Sequence, residues 1–194
     1  MKVKTIKIGN MCCSRCVSAV KQVFENAGVN CKSVELGFAE IVPDKNTDYK
    51  KLEVDLRNAG FEIIVSKEEE ISEKIKIEIH ILFSETKKIN LGGFVLRVFL
   101  EDKIQLPYKK IAEIFSIHNH QTIEHYFIIN RIEKVKMMIE ETDFSFSEIA
   151  FKVGFNSLSH LSRQFKFYEG MSMSRYKLIP KKKRKNKRKN IDEI

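Results

Sequence analysis

Ser145-Phe146-Ser147-Glu148-Ile149-Ala150-Phe151-Lys152-Val153-Gly154-Phe155-Asn156-Ser157 is the stretch on which the reading of this chain turns. Ser145 and Glu148 stand at capping-box spacing: the serine hydroxyl accepts from the third amide and the glutamate returns to the cap amide. A short helix from Ser147 to Val153 is expected, stopped by Gly154, because glycine enters the left-handed conformation without steric cost. Asn156 or Ser157 then caps a second helix that reaches Tyr168 and ends near Gly170. Within it Leu161 and Phe165 sit four apart and face inward. Ser159, His160 and Arg163 fall mostly on the other face. A short helix bracing a second one that presents small polar and arginine side chains is helix-turn-helix geometry, suited to the major groove of DNA. Arginine can take a guanine edge in bidentate fashion and serine can serve several bases; Lys166, Arg175 and Lys177 suit phosphates. For polar residues alone, a solvated helix face is the ordinary explanation.

Working back along the chain, Ile128, Ile132, Val135 and Ile139 repeat at four, three and four, which predicts a long amphipathic helix over 122–140. Before it, Leu106-Pro107-Tyr108-Lys109-Lys110-Ile111-Ala112-Glu113-Ile114-Phe115 predicts another helix, with Pro107 at its first turn. Ile111 and Phe115 face inward; Tyr108, Lys109 and Lys110 are expected to be exposed.

The wording of the C-terminal stretch is more particular than any solvated face requires. Ile149-Ala150-x-x-Val153-Gly154-Phe155-Asn156-Ser157-x-Ser159-x-Leu161-Ser162-Arg163-x-Phe165-Lys166-x-x-x-Gly170-x-Ser172-x-x-x-Tyr176 resembles the second helix-turn-helix of the AraC/XylS family of bacterial transcription regulators. Residues 131–139 resemble that family's long linker helix, and the likeness extends, more weakly, back to about residue 74. The resemblance implies two helix-turn-helix units reading adjacent major-groove segments of a double-stranded operator. It puts Leu158, Ser159 and Arg163 at base-reading positions, with Asn156, Ser157 and His160 as neighbours and Lys166 beside them. Tyr108, Lys109 and Lys110 belong to the first unit. RNA polymerase and a second copy of the chain are candidate partners. Two positions depart from the family pattern: His120 stands where a glycine is usual before the linker helix, and Met173 where a proline is usual.

The first 66 residues follow another rhythm. Ile6 and Ile8 alternate with Thr5 and Lys7; Val34 and Leu36 alternate with Ser33 and Glu35; Ile41-Val42 ends at Pro43; Phe61, Ile63 and Val65 form a last strand. Cys16, Val20, Val23 and Ala27 mark one face of a helix stopped by Gly28, and Asp48 to Ala59 forms a second helix closed by Gly60. The order βαββαβ is the split βαβ arrangement, with two helices on one face of an antiparallel sheet.

Asn10-Met11-Cys12-Cys13-Ser14-Arg15-Cys16 lies between the first strand and first helix. A helix N-terminus favours thiolate over thiol, which helps metal capture and redox reactivity alike. Cys13 and Cys16 on one short loop suit a soft ion such as Cu(I), or half of a Zn(II) site. Cysteines that merely pack as small hydrophobes account for such a spacing about as often. Met11-x-Cys13-x-x-Cys16 within βαββαβ resembles the heavy-metal-associated domain of copper chaperones and metal-transporting ATPases. Asn58-Ala59-Gly60-Phe61 resembles that family's closing helix–strand turn. The resemblance implies a ferredoxin-like fold holding a soft metal through Cys13 and Cys16, with Met11 packed beneath the loop. Here too the chain departs: Asn10 stands where glycine usually precedes the methionine, and Cys12 adds a third sulfur that either completes the site or points away. Cys31 is expected to be structural.

Charge separates the parts. Of the net charge of +9, residues 181–189 supply eight basic side chains and Asp192 and Glu193 two acidic ones, leaving +3 for residues 1–180. Residues 1–70 are neutral, with 11 basic and 11 acidic groups. A neutral module joined to a basic one suggests two jobs. The expected layout is α+β: a heavy-metal-associated domain over 1–66, a polar linker over 67–74, an all-α DNA-binding domain over 75–180, and a disordered basic tail over 181–194. No apolar run is long enough to cross a bilayer and no signal-peptide core follows Met1, so a cytoplasmic protein with no membrane partner is expected. Four cysteines in such a chain point to metal or redox chemistry rather than disulfides. His118, His120 and His125 read as surface histidines rather than ligands. No phosphate loop, Ser/His/Asp set or paired carboxylates mark an enzyme. The expected function is a DNA-binding regulator responsive to a soft metal. The alternative is a DNA-binding regulator whose front domain is a thiol redox sensor or a metal-silent dimerisation module.

Overall fold

The computed structural model describes residues 3–44, 47–84 and 95–180. They divide into two compact units, residues 1–78 with 104–120 and residues 79–103 with 121–194.

In the first unit β1 (Lys4–Gly9), α1 (Ser14–Asn26), β2 (Asn30–Glu35), β3 (Phe38–Val42), α2 (Tyr49–Asn58) and β4 (Glu62–Ile63) follow in the expected βαββαβ order. The sheet is antiparallel with strand order β2-β3-β1-β4. The period-two pattern of β1 turns Ile6 and Ile8 onto the core, where they join Val20 and Phe24 of α1 and Leu52 and Leu56 of α2. Asp48 caps α2 by accepting from the amides of Lys50 and Lys51. At Gly9 the sheet is close: a Cβ there would lie 2.9 Å from Cγ of Glu62, so that side chain would have to shift.

α3 (Lys67–Ser84) follows at once. Residues 67–74, expected as a polar linker, form the first turns of this helix. Ser66 Oγ accepts from the Glu69 amide at 3.0 Å, and the Glu69 carboxylate accepts from the amides of Val65 and Ser66. This is a second S-x-x-E cap, and Glu68, Glu69 and Glu70 place negative charge at the positive end of the helix dipole. Those amides hold the Glu69 carboxyl below its usual range. The same cap ends the last strand early. β4 stops at Ile63, and Val65, expected in that strand, lies beyond it and is 87% exposed.

α4 (Leu96–Ile104) and α5 (Tyr108–Asn119) come next. α5 belongs to the first unit. Its Ile111 and Phe115 are buried as expected, Lys109 and Lys110 are exposed, and Tyr108 is half-buried rather than exposed. Asn119 at its end donates to Ser72 Oγ at 2.7 Å and to the Phe115 carbonyl at 2.8 Å.

The second unit contains α6 (Ile123–Glu141), α7 (Phe146–Lys152), α8 (Leu158–Glu169) and α9 (Met173–Leu178). Ile132, Val135 and Ile139 of α6, Ile149 of α7, Leu161 and Phe165 of α8 and Tyr176 of α9 close one core. The departures from the family pattern have local reasons. His120 ends α5 in the left-handed conformation at φ 53°, the task glycine would otherwise perform. Met173 opens α9 behind its cap Ser172 and is buried in the core. The basic tail at 181–194 lies outside the described residues. Among those described, no helix is long and apolar enough to cross a membrane.

Candidate functional site

The Ser145 capping box forms as the sequence spacing requires, with Ser145 N donating to Glu148 at 2.8 Å and Glu148 N to Ser145 Oγ at 3.3 Å. α7 runs into the turn at Gly154, where φ is 75°. Arg131 of α6 fixes this turn. Its Nε donates to the Val153 carbonyl at 3.0 Å, and its guanidinium lies 3.8 Å from the centroid of the Phe155 ring. Burial pushes the Arg131 guanidinium down to about 10, so it stays charged at neutral pH. Ser157 rather than Asn156 caps α8, accepting from the His160 amide at 3.1 Å.

With Leu161 and Phe165 both fully buried, the opposite face of α8 is fixed. Asn156, Ser157, Leu158, Ser159, His160, Arg163 and Lys166 are all exposed. Two of them have structural duties as well: Ser157 through its cap, and His160 through an edge-to-face contact with Phe155, ring centroids 5.4 Å apart. Glu169, the acidic residue of α8, is bound to the buried Lys136 of α6 at 3.0 Å. The exposed face of α8 thus keeps the positive charges of Arg163 and Lys166, with Arg175 and Lys177 exposed on α9. Such a face can meet phosphates and base edges.

In the first unit the chain leaves β1 through Asn10, at φ 65°. Asparagine is the non-glycine residue that best tolerates this left-handed conformation, which explains its place in the glycine position. Met11 is buried beneath the loop and Cys13 is the N-cap of α1. Cys12 does not point away. Its Sγ lies 3.5 Å from that of Cys16, Cys13 Sγ lies 3.7 Å from Cys16, and all three sulfurs fall within 4.8 Å of one another. Metal–sulfur bonds of about 2.3 Å place sulfurs roughly 3.8–4.0 Å apart in tetrahedral or trigonal geometry. The three thiols, all unbridged, fit a soft cation in number, chemistry and spacing. Burial pushes the Cys13 thiol up. The backbone amides of Cys16 and Arg15 and the sulfurs of Cys16 and Cys12 outweigh it and bring the thiol below its ordinary value. Cys31, half-buried on β2, is pushed up by burial and donates to the Ser33 carbonyl at 3.3 Å.

The C-terminal part of the chain is similar to known proteins. Residues 100–178 match a family model described as a helix-turn-helix domain. Over 67 residues the chain is 25% identical to the HTH-type transcriptional regulator CdhR of Pseudomonas aeruginosa, a match covering 34% of this chain and 20% of that protein. The chain therefore spans about a fifth of the length of this curated relative. The C-terminal domain of the two-component response regulator yesN from Fusobacterium nucleatum is similar at a TM-score of 0.43 and 21% identity, covering 50% of this chain and 95% of that one. The DNA-binding domain of AdpA, a global transcriptional factor solved in complex with a target DNA, is similar at 0.46 and 18%, covering 56% and 96%. Residues 100–178 are therefore similar to helix-turn-helix domains.

Proposed function

We propose that this chain is an AraC-type, DNA-binding transcription regulator whose front domain is heavy-metal-associated and ferredoxin-like, and that a soft metal ion changes its affinity for operator DNA. One observation carries the DNA reading: α8, braced by α7 across the Gly154 turn, exposes Asn156, Ser157, Leu158, Ser159, His160, Arg163 and Lys166 inside a segment that matches a helix-turn-helix family. Arg163 and Ser159 would read base edges and Lys166 a phosphate. Tyr108, Lys109 and Lys110 at the start of α5 would serve a second groove segment, Tyr108 with less of its surface free. RNA polymerase and a second copy of the chain complete the proposed partners, in the cytoplasm.

The metal reading is supported by the convergence of Cys12, Cys13 and Cys16 and by the strand order β2-β3-β1-β4 around them. Cu(I) suits three sulfurs, and Zn(II) would need a fourth donor. A bound soft ion would supply a positive centre that ties the loop to the first turn of α1. The chain's own part is to hold the three thiols together and to favour the thiolate at Cys13. A second reading, thiol redox sensing, rests on the same lowered Cys13 thiol beside two neighbouring sulfurs.

A genome-wide footprint of the tagged protein, with and without Cu(I) or Zn(II), tests the proposal. Discrete sites whose occupancy follows the metal support it. Discrete sites that follow an oxidant instead favour the redox reading, and no discrete sites reject both.

A further inference from the structure

The exit from β1 into the cysteine loop is held from outside the βαββαβ domain. The Asn10 amide donates to Glu73 of α3 at 2.7 Å, and Lys76 Nζ donates to Asn10 Oδ1 at 3.3 Å. Glu73 and Lys76 are themselves ion-paired. Glu73 is only 7% exposed. A carboxylate so buried is costly unless it is fully partnered, and among the described residues it is met by Lys76 and the loop amide of Asn10. The amide belongs to a residue in the left-handed conformation, two positions before the first cysteine.

The residue beside Glu73 faces another element. Ser72 is 2% exposed, and its hydroxyl accepts from Asn119 at the end of α5 at 2.7 Å. Two adjacent residues of one helix therefore touch the cysteine loop and the helix read as the first recognition helix. All of these contacts lie within the first compact unit.

We propose that Ser72, Glu73 and Lys76 of α3 form the coupling element through which a soft cation on the cysteine loop alters α5. The inference rests on the metal reading above. A cation drawing Cys12, Cys13 and Cys16 together fixes the loop. A fixed loop holds the Asn10 amide on Glu73, and the turn of α3 carrying Glu73 also carries the partner of Asn119. Linkage makes the effect reciprocal: what steadies the loop steadies α3, and what steadies α3 favours the cation. Glu73 is thus a positioning residue for the site, not a ligand.

The test is hydrogen exchange of the full chain, reduced, with and without one equivalent of Cu(I), alongside Cu(I) affinity from competition with a chelator. In the wild type Cu(I) should bind and change the exchange of the α5 amides by about fivefold or more. Glu73→Gln should lower Cu(I) affinity by about tenfold, as loss of a supporting partner does. At saturating Cu(I) it should show little change in α5. Ser72→Ala leaves the carboxylate in place, so it should still bind Cu(I) while losing the α5 response. Wild type that binds Cu(I) with α5 unmoved overturns the coupling and spares the metal reading. Wild type that binds no Cu(I) overturns both. Variants that keep the full α5 response overturn the role of these residues.

Discussion

Phe165 and Phe167 lie on the same helix, two residues and about 200° apart, and the whole reading of α8 depends on which of them is inside. Phe165 is fully buried and packs edge-to-face on Tyr176 at 5.6 Å, whereas Phe167 is 81% exposed. A buried phenylalanine removes about 150–250 Å² from water, which at about 25 cal/mol per Å² amounts to roughly 4–6 kcal/mol as an upper bound. Truncation in a core that relaxes only partly costs about 3–5 kcal/mol. Phe165→Ala should therefore destabilise the second unit by about 4 kcal/mol. Phe165→Leu, which refills most of the volume, should cost about 1.5 kcal/mol or less. Phe167→Ala should stay within about 0.5 kcal/mol. The chain has no tryptophan, so tyrosine fluorescence in a urea titration reports the unfolding, with Tyr176 in the affected cluster. If Phe167→Ala costs more than Phe165→Ala, α8 is turned the other way, and Arg163 cannot be on its outer face.

Other consequences follow from the same geometry. Arg163→Ala should weaken binding to a footprinted operator by about 1–3 kcal/mol and relax selectivity at one base position, as read in a fluorescence-anisotropy titration. Ser157→Ala should instead lower folding stability by about 1 kcal/mol, because its hydroxyl caps α8. An undiminished melting temperature would return Ser157 to a purely DNA-facing role. Thiol alkylation followed across pH by peptide mass mapping should give Cys13 a midpoint below that of an ordinary thiol and Cys31 one above it. A lowered thiol reaches the reactive thiolate at lower pH and a raised one at higher pH. Cys31 labelling ahead of Cys13 would contradict the arrangement of the loop.

Much of this was legible in the sequence because local rules and packing agree there. The alternation of Ile6 and Ile8, the spacing of Leu161 and Phe165 and the Ser145–Glu148 box each determine one local feature, and each forms. The failures lie where a local signal competes with a compositional one. Lys67-Glu68-Glu69-Glu70 looks like a solvated linker by charge, yet Ser66-x-x-Glu69 is the same cap that identified α7. Reading that box would have started α3 at Lys67 and ended the last strand before Val65. The convergence of Cys12 with Cys16 was not legible, because a β-to-α turn can send that side chain either way, and only the fold of the loop beneath Asn10 decides. Nor could the sequence pair Asn10 with Glu73 or Ser72 with Asn119. These are contacts across 63 and 47 residues, one from a backbone amide and one between side chains, and neither carries a periodic signature.

One titration tests directly whether metal and DNA binding are linked in this protein. Operator affinity is measured for the reduced chain without metal and with one equivalent of Cu(I), beside the variant with Cys12, Cys13 and Cys16 all replaced by serine. The account predicts an affinity change of about fivefold or more for the wild type and none for the variant, with operator DNA shifting Cu(I) affinity by the same factor. Equal operator affinity with and without bound Cu(I) would contradict it.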